Sequence, residues 1–294
     1  MQRNAKIRRT IPVFYVADDA RMPYLSVSLI SLLQNASAAY RYEAHILHTG
    51  LSEEYAAPVR ALATPHCSVT FTDVSARIAA LENRLQTNGC RAGELSYCML
   101  LADLFPQYGK AVVLSAQTVA DGDVSALYRT EMQNAPVAAV TDTRKEITAG
   151  VLVLNLRVLR EENLYAQYVR LLSARRFSEA QEKDCFNALF HGRVIPLSAD
   201  WNASIEDEEC EPQIVRYDAD RVPWRYDDVP YGGHFWRYAH LSPFLGEILG
   251  ERIRFARERG AADTWYATDR RGRAAAPDAP QPIAMRKSAF APAR

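Results

Sequence analysis

The chain has 294 residues, of which 48% are hydrophobic, and it carries 35 basic and 35 acidic side chains. This composition is that of an ordinary globular protein long enough to bury a hydrophobic core. The zero net charge hides an uneven layout, because residues 1–9 carry four basic side chains and residues 269–294 carry six against two acidic ones. Subtracting those two ends, each at +4, leaves residues 10–268 at −8. A nucleic-acid binder usually has a basic body, so the charge layout argues against a nucleic-acid partner.

The sequence also argues against a membrane span and against a secreted, disulfide-bonded protein. No apolar run approaches the roughly 18–20 residues that a bilayer requires, and no apolar stretch with a small-residue cleavage site opens the chain. The cysteines are odd in number and have no CxxC spacing; they are Cys67, Cys90, Cys98, Cys185 and Cys210. We therefore expect a cytoplasmic protein whose cysteines are reduced thiols.

The first third of the chain alternates short apolar runs with amphipathic helices. Strand-like runs lie at residues 11–16, 43–48 and 68–74. Between them, Pro23 opens one helix and Ser52 is placed to cap another. The first helix carries an apolar stripe made of Leu25, Leu29, Leu32 and Leu33. A β-α-β-α-β series predicts parallel strands joined by right-handed crossovers, in a sheet covered on both faces.

The rest of the chain continues this pattern less regularly. We predict helices at residues 95–104, 158–173, 184–189 and 235–258, and strands at 111–114, 137–140, 151–154, 194–196 and 213–217. Pro243 should kink the last helix or mark its start. From residue 270 onward Ala, Pro and Arg dominate, which is typical of a disordered tail. The predicted organisation is a basic N-terminal arm at residues 1–10, one α/β domain at 11–268 and the tail at 269–294.

Most motifs that identify a nucleotide or metal enzyme are missing from the sequence. It has no P-loop, no dinucleotide-binding glycine motif, no nucleophile elbow and no HExxH. Asp18 and Asp19 are more informative, since ligands of open α/β sheets bind beyond the carboxyl ends of strands, although two aspartates here also suit a turn. Asp121-Gly122-Asp123 has the form of a DxD metal motif. It better suits a turn that leads into a short helix at Asp123 or Ser125.

Five longer segments carry a family resemblance. They are FYVADDARMPYLSVSLISLLQNAS, ILHTGLSEE, LFPQYGKAVVLSAQTVADGDVSALY, AGVLVLNLRVLREEN and FWRYAHLSPFLGEIL. Together they resemble the family 8 glycosyltransferases, retaining transferases that include glycogenin and bacterial lipopolysaccharide galactosyl- and glucosyltransferases. The resemblance implies a GT-A fold, with a Rossmann-like mixed sheet flanked by helices. It also implies a nucleotide half at about 11–115 and an acceptor half at about 116–268, which take a nucleotide sugar such as a UDP-sugar and a glycan acceptor.

The pair of residues that would hold a metal in this family is altered. Family members carry a DxD pair that binds Mn²⁺ or Mg²⁺ against the donor diphosphate, and here Ser115 and Gln117 stand at the two positions. A hard cation on oxygen ligands stabilises the negative charge left on the diphosphate when the sugar–phosphate bond breaks. Because neutral serine and glutamine side chains are poor substitutes for that cage, we predict no metal cofactor.

The second phosphate element of the family, HxxGxxKPW, corresponds to residues 216–224. Its end is retained as Pro223-Trp224, which suits a packing corner, but Arg216 stands at the histidine position, Ala219 at the glycine and Val222 at the lysine. Arginine stays protonated and offers no lone pair, so it cannot ligate a metal. Its guanidinium can instead clamp a diphosphate with two hydrogen bonds.

Further positions depart from the family pattern. Met99 stands where the family has an arginine that touches the donor, Thr148 replaces an asparagine that meets the sugar, and Lys183 replaces a glutamine near the anomeric carbon. Asp142 matches an acceptor-side aspartate, followed by a shortened loop. By resemblance, the donor-binding candidates are Ala17, Asp18, Asp19, Tyr97, Ser115, Gln117 and Arg216, and the catalytic candidates are Asp142, Lys183 and Asp184.

Three functional hypotheses follow. The first is a glycosyltransferase-like protein that is catalytically impaired or inactive and binds a nucleotide, a glycan or an active glycosyltransferase partner, because the groups that would neutralise the diphosphate are lost. The second is an active, metal-independent transferase in which Arg216, helped by Arg221 or Lys183, replaces the metal. The alternative for Arg216 is a surface arginine near Asp218 and Asp220. The third is a scaffold or weak membrane-surface partner that acts through its basic ends, which are otherwise solvated tails.

Overall fold

The computed structural model describes residues 9–85, 91–174, 178–204, 211–217 and 221–269. Most of the predicted basic arm, the tail from residue 270, and Cys90 and Cys210 lie outside the described residues. The arm, the tail, the cytoplasmic location and the membrane-surface contact therefore stay predictions. Cys67, Cys98 and Cys185 are buried and form no disulfide, as expected of reduced thiols.

Ten strands lie within the described ranges. They are β1 (Thr10–Val16), β2 (Arg41–His48), β3 (Cys67–Asp73), β4 (Ala111–Leu114), β5 (Thr118–Ala120), β6 (Val137–Thr141), β7 (Ile147–Leu154), β8 (Val194–Pro196), β9 (Ala203–Ser204) and β10 (Ile214–Arg216). Each predicted strand is confirmed to within a few residues, whereas β5, of three residues, and β9, of two, lie outside the predicted strands.

Ten α-helices accompany the strands in the same part of the chain. They are α1 (Met22–Asn35), α2 (Glu53–Arg60), α3 (Ser75–Leu85), α4 (Glu94–Leu104), α5 (Ser125–Arg129), α6 (Leu156–Glu161), α7 (Leu164–Ser173), α8 (Glu179–Phe190), α9 (Gly232–Ala239) and α10 (Leu245–Asp269). Two 3-10 turns lie at Asp19–Arg21 and Ala199–Asn202. Within the ranges the structure covers, none of these helices combines the length and apolar character needed to cross a membrane.

The strands form two sheets. The larger sheet has the order β3-β2-β1-β4-β7-β6-β8, and the smaller one has the order β5-β10-β9. Strands β3, β2, β1 and β4 are parallel neighbours, whereas β7 runs antiparallel to both β4 and β6. The structure is therefore the predicted α/β fold with a mixed sheet, parallel in its first half.

Strand β1 shows why the larger sheet is covered on both faces. Ile11, Val13 and Tyr15 pack into one core, and Phe14 and Val16 pack into the other, because successive side chains of a strand point to opposite faces. Helices α1 and α2 lie over the first face, and α3, α4 and α6 to α8 lie over the second. Such a strand reads as a continuous apolar run rather than an alternating one.

A third apolar cluster joins the smaller sheet to α1 and α9. Its centre is Trp224, which is 2% exposed and stacks on Tyr24 with the ring centroids 4.1 Å apart. The ring centroid of Phe235 lies 5.0 Å from that of Trp224, and the centroid of Tyr217 lies 6.2 Å away. Offset and edge-to-face ring pairs of this kind add to the energy of burial. The predicted packing corner at Pro223-Trp224 is confirmed.

Two long predicted helices are each interrupted. The predicted helix 158–173 is wrong as a single element, because Asn163 adopts a left-handed conformation with φ 49° between α6 and α7. The predicted helix 235–258 is divided into α9 and α10 on either side of Pro243, as the proline suggested.

The segment between β3 and β4 contains a helix that was not predicted. In α3, Ile78, Leu81 and Leu85 are buried while most of the remaining residues are polar, so the apolar face is narrow. The cap predicted at Ser52 is only partly right. The residue has the extended backbone of an N-cap, but its side chain makes no capping hydrogen bond.

Candidate functional site

A cavity of about 970 Å³ opens at the carboxyl ends of the parallel strands β1 and β4. Val16 and Ala17 bring the end of β1 to its wall, and Ser115 follows the last residue of β4. The bent part of β7 adds Ala149 and Gly150. Ligands of open α/β sheets bind outside the carboxyl ends of the strands, so this position makes the cavity the candidate site.

Seven of the residues singled out by resemblance line this cavity. They are Ala17, Asp18, Tyr97, Ser115, Gln117, Lys183 and Arg216. They come from five separate parts of the chain, namely the end of β1, helix α4, the loop after β4, helix α8 and strand β10. The fold therefore brings together residues that are up to 199 positions apart in the sequence.

Three other candidates lie elsewhere and do not line the cavity. The Oδ1 atom of Asp19 accepts the Ser52 N–H at 2.9 Å, which ties the turn after β1 to the start of α2. Asp142 closes the turn between β6 and β7 by accepting the N–H groups of Arg144 and Glu146 at 2.8 and 2.9 Å. Asp184 is exposed on α8. The structure gives the first two a structural role and places the third outside the cavity wall.

Asp18 and Arg21 form the rim of the cavity at the end of β1. The Oδ1 atom of Asp18 accepts the Arg21 N–H at 3.1 Å and so caps the 3-10 turn Asp19–Arg21. The Nη1 atom of Arg21 lies 3.4 Å from Oε1 of Glu94, the first residue of α4. Exposed ion pairs of this kind contribute about 0–1 kcal/mol. This pair links the turn after β1 to α4 and adds little to stability.

Tyr97 reaches the cavity from α4 and is 8% exposed. Burial raises the pKa of its phenol, and a hydrogen bond with Thr49 partly offsets that rise. Thr49 lines the cavity too. Met99, at the position where the family has an arginine, is fully buried in the core, so an apolar residue suits that position here.

The loop after β4 is held through its backbone. The Ser115 N–H donates to the Gly150 carbonyl at 2.8 Å, which extends the pairing of β4 with β7 in the larger sheet. Two residues later, the Gln117 carbonyl accepts the Tyr217 N–H at 2.9 Å and extends the pairing of β5 with β10 in the smaller sheet. Residues 115–117 are therefore the joint between the two sheets.

Arg216 packs against Gly150, and both residues line the cavity. A Cβ atom at Gly150 would overlap the Cδ atom of Arg216, and Gly150 has φ +113°, a conformation that side-chain-bearing residues rarely adopt. Position 150 therefore requires glycine both for its backbone and for the close approach of Arg216. The aspartates 218 and 220, named as alternative partners of Arg216, lie outside the described residues.

The residues at the loop after β4 do not fit a divalent-metal cage. Ser115 and Gln117 offer neutral oxygens and Arg216 offers no lone pair, whereas Mn²⁺ and Mg²⁺ prefer carboxylate oxygens. In the part of the chain that the structure describes, no three His, Cys, Asp or Glu side chains are grouped so that they could hold a metal ion. The second DxD-like sequence is a turn, as predicted, in which Asp123 accepts the Ser125 N–H at 2.9 Å.

Charges of both signs line the cavity. Among the described lining residues the acidic ones are Asp18, Glu82, Glu94 and Glu182, and the basic ones are Arg21, Arg91, Lys183 and Arg216. Arg216 and Lys183 come from different elements, β10 and α8. Both add positive charge to the lining of the cavity.

Glu182 is a site residue that the sequence analysis did not select. It is 2% exposed, and its Oε1 atom accepts hydrogen bonds from the Ser96 N–H at 2.8 Å, from the Ser96 hydroxyl and from the Tyr168 hydroxyl at 3.3 Å. Burial raises the pKa of its carboxyl above the usual value, and these bonds offset part of the rise. Glu182 thus caps the start of α4 from α8.

Comparison with known proteins identifies the class. The model of glycosyltransferase family 8 matches residues 12–221, which is more than half of the chain, and the protein belongs to this family. A Haemophilus influenzae protein whose name places it among glycosyltransferases is 22% identical over 264 residues, covering 82% of this chain and 78% of its own. The glycosyltransferase GlyA of Streptococcus pneumoniae is 25% identical over 173 residues, covering 51% of this chain and 25% of its own.

Solved structures of glycosyltransferases share the fold. The bifunctional glycosyltransferase WbbM superposes with a TM-score of 0.73 at 19% identity, covering 85% of this chain and 53% of its own length. The galactosyltransferase LgtC, solved with donor and acceptor sugar analogues, superposes with a TM-score of 0.66 at 18% identity, covering 79% of this chain and 96% of its own. This chain spans about half of WbbM, and the likeness establishes the GT-A fold.

Proposed function

We propose that this protein is a glycosyltransferase-like protein of glycan or lipopolysaccharide biosynthesis whose cavity binds a nucleotide sugar, such as a UDP-sugar, without a divalent metal. Its sugar transfer is impaired or absent. Residues 11–268 act as one domain with a nucleotide half and an acceptor half. The partner of the protein is a glycan acceptor or an active glycosyltransferase. The observation that carries the proposal is the set of residues around the loop after β4, namely Ser115, Gln117 and Arg216.

Sugar transfer from a nucleotide sugar changes the charge on the donor diphosphate. Breaking the sugar–phosphate bond leaves negative charge on the diphosphate, and preorganised positive groups at that point supply much of the catalysis. Arg216 and Lys183 line the cavity and can bind the diphosphate before reaction. Groups that bind substrate and transition state equally well do not raise the rate of the chemical step. We therefore expect the protein to bind the nucleotide without a metal even though the rate of sugar transfer is low or zero.

Nucleotide binding is expected to be independent of metal. UDP at a hundredfold excess over its Kd should stabilise the folded protein by about 2.7 kcal/mol, and differential scanning fluorimetry should show the same rise in Tm in Mn²⁺ and in EDTA. A parallel assay with a panel of UDP-sugars should show no turnover that Mn²⁺ stimulates. Mn²⁺-dependent sugar transfer would contradict the proposal.

The position of Arg216 also favours a second candidate function, an active transferase that uses this guanidinium in place of a metal. Its side chain packs against Gly150 in the cavity wall, and a guanidinium can clamp a diphosphate with two hydrogen bonds. This candidate predicts sugar transfer or hydrolysis that EDTA does not inhibit.

The variant Arg216→Ala is expected to lower UDP affinity by about tenfold to a hundredfold, since a charge-assisted hydrogen bond contributes about 1.5–3 kcal/mol. Isothermal titration calorimetry in EDTA measures the change. Arg193→Ala is the matched control, because Arg193 pairs with Glu162 at 2.7 Å and does not line the cavity. Equal UDP affinities for the two variants would show that Arg216 does not bind UDP. Turnover that resists EDTA and disappears only in Arg216→Ala would establish the second candidate function.

A further inference from the structure

The asparagine at position 202 lies beside Gly150 of the cavity wall, with its Oδ1 atom 3.3 Å from where a Cβ at Gly150 would be. Asn202 ends the 3-10 turn before β9 and is 2% exposed. Its Nδ2 atom donates to the carbonyls of Thr148 and Ala149 at 3.0 and 3.2 Å. Both carbonyls belong to β7, so the side chain links two parts of the chain that are about fifty residues apart.

Strand β7 needs an outside partner at this point because its pairing is irregular. The register between β6 and β7 shifts between Ala139 and Thr141, and Gly150 has φ +113°. A bulge disrupts the ladder locally, and buried backbone carbonyls that leave the ladder must find another donor. The two N–H groups of Asn202 supply that donor for Thr148 and Ala149.

The segment that Asn202 holds is the one on which the site is built. Next along β7, the Gly150 carbonyl accepts the Ser115 N–H at 2.8 Å, and the Arg216 side chain fills the space that a Cβ at Gly150 would need. If the first residues of β7 were mobile, both the loop after β4 and Gly150 beneath the Arg216 side chain would lose their fixed positions. The Oδ1 atom of Asn202 is buried with no hydrogen-bond partner among the described residues. Because an unpaired buried oxygen lowers stability, the stabilising contribution of this side chain comes from its two N–H donors.

We infer that Asn202 is a positioning residue for the nucleotide site. It fixes the bulged end of β7, and through Gly150 it sets the positions of Ser115 and Arg216. This inference rests on the proposed function for its ligand, but the link from Asn202 to Ser115 is a property of the unliganded protein and can be measured without any nucleotide.

The test compares Asn202→Ala with Asn155→Ala by hydrogen–deuterium exchange and by UDP titration in EDTA. Asn155 is a matched control because it is 6% exposed, donates to the Ala135 carbonyl at 3.2 Å and does not line the cavity. We expect the Ser115 amide to exchange about fivefold faster in Asn202→Ala and at the wild-type rate in Asn155→Ala. UDP affinity should fall by about fivefold in Asn202→Ala alone.

The exchange result decides the inference by itself. The inference would be overturned if the Ser115 amide of folded Asn202→Ala exchanged at the wild-type rate. It would also be overturned if the exchange rate of this amide rose equally in both variants. If Asn202→Ala does not fold, Asn202→Asp keeps the shape and removes the two donors, and the same comparison applies. Absence of UDP binding to the wild-type protein would overturn the proposed function and leave the exchange comparison intact.

Discussion

Replacing Gly93 by alanine is expected to lower the free energy of unfolding by about 2–4 kcal/mol, the cost of displacing a buried, hydrogen-bonded carboxylate. A Cβ atom at Gly93 would overlap the Oε2 atom of Glu182. Glu182 would have to leave its cap on Ser96, which deprives the buried Ser96 N–H at the start of α4 of this acceptor. Urea denaturation followed by circular dichroism measures the loss.

Two comparisons make this prediction specific. Gly109→Ala should change stability by less than about 0.5 kcal/mol, because nothing lies within 4 Å of a Cβ at Gly109. In a Glu182→Ala background, Gly93→Ala should cost at least about 1 kcal/mol less than in the wild type, because the two residues are in contact and their effects do not add. Additive effects, or a Gly93→Ala loss as small as that of Gly109→Ala, would show that Glu182 does not cap α4.

Trp224→Ala is expected to lower the free energy of unfolding by about 3–5 kcal/mol. The ring is fully enclosed and stacks on Tyr24 4.1 Å away, so its removal leaves a large cavity between α1, α9 and the smaller sheet. Chemical denaturation in urea again gives the magnitude.

Trp236→Ala is the matched control for Trp224→Ala. Trp236 lies on α9, is only half-buried, and has the Arg252 guanidinium 5.0 Å from its ring centroid. A cation–π contact of this exposure contributes about 0.5–1 kcal/mol, so the loss should be near 1 kcal/mol. Equal losses for the two tryptophans would mean that Trp224 is not the centre of the third cluster.

Much of the fold could be predicted from the sequence, because burial leaves periodic patterns. The apolar run of β1 and the leucine stripe of α1 gave correct elements, and Pro243 correctly marked a helix boundary. Helix α3 was missed because its apolar face consists of three spaced residues in a polar segment. The break at Asn163 was missed since a left-handed residue between two helical stretches has no signature in hydrophobic spacing.

The site was predictable where position along a strand fixes it and unpredictable where it depends on tertiary contacts. Ala17, Asp18 and Ser115 follow strand ends and line the cavity, as the general rule for α/β sheets requires. Asp142 was selected on a sequence match, but its carboxylate closes its own turn. Glu182 and Asn202 form hydrogen bonds with residues more than fifty positions away in the sequence. No local sequence pattern predicts such a contact.

The joint at residues 115–117 has a consequence for how such proteins diverge. Its two bonds, from the Ser115 N–H to Gly150 and from the Tyr217 N–H to Gln117, use backbone atoms alone. Side chains at 115 and 117 can therefore be exchanged by mutation while the two sheets stay connected. Selection for a stable fold preserves the shape of the cleft but does not require carboxylate side chains at positions 115 and 117. In a lineage released from selection for catalysis, the cleft would persist and its chemistry would be free to drift.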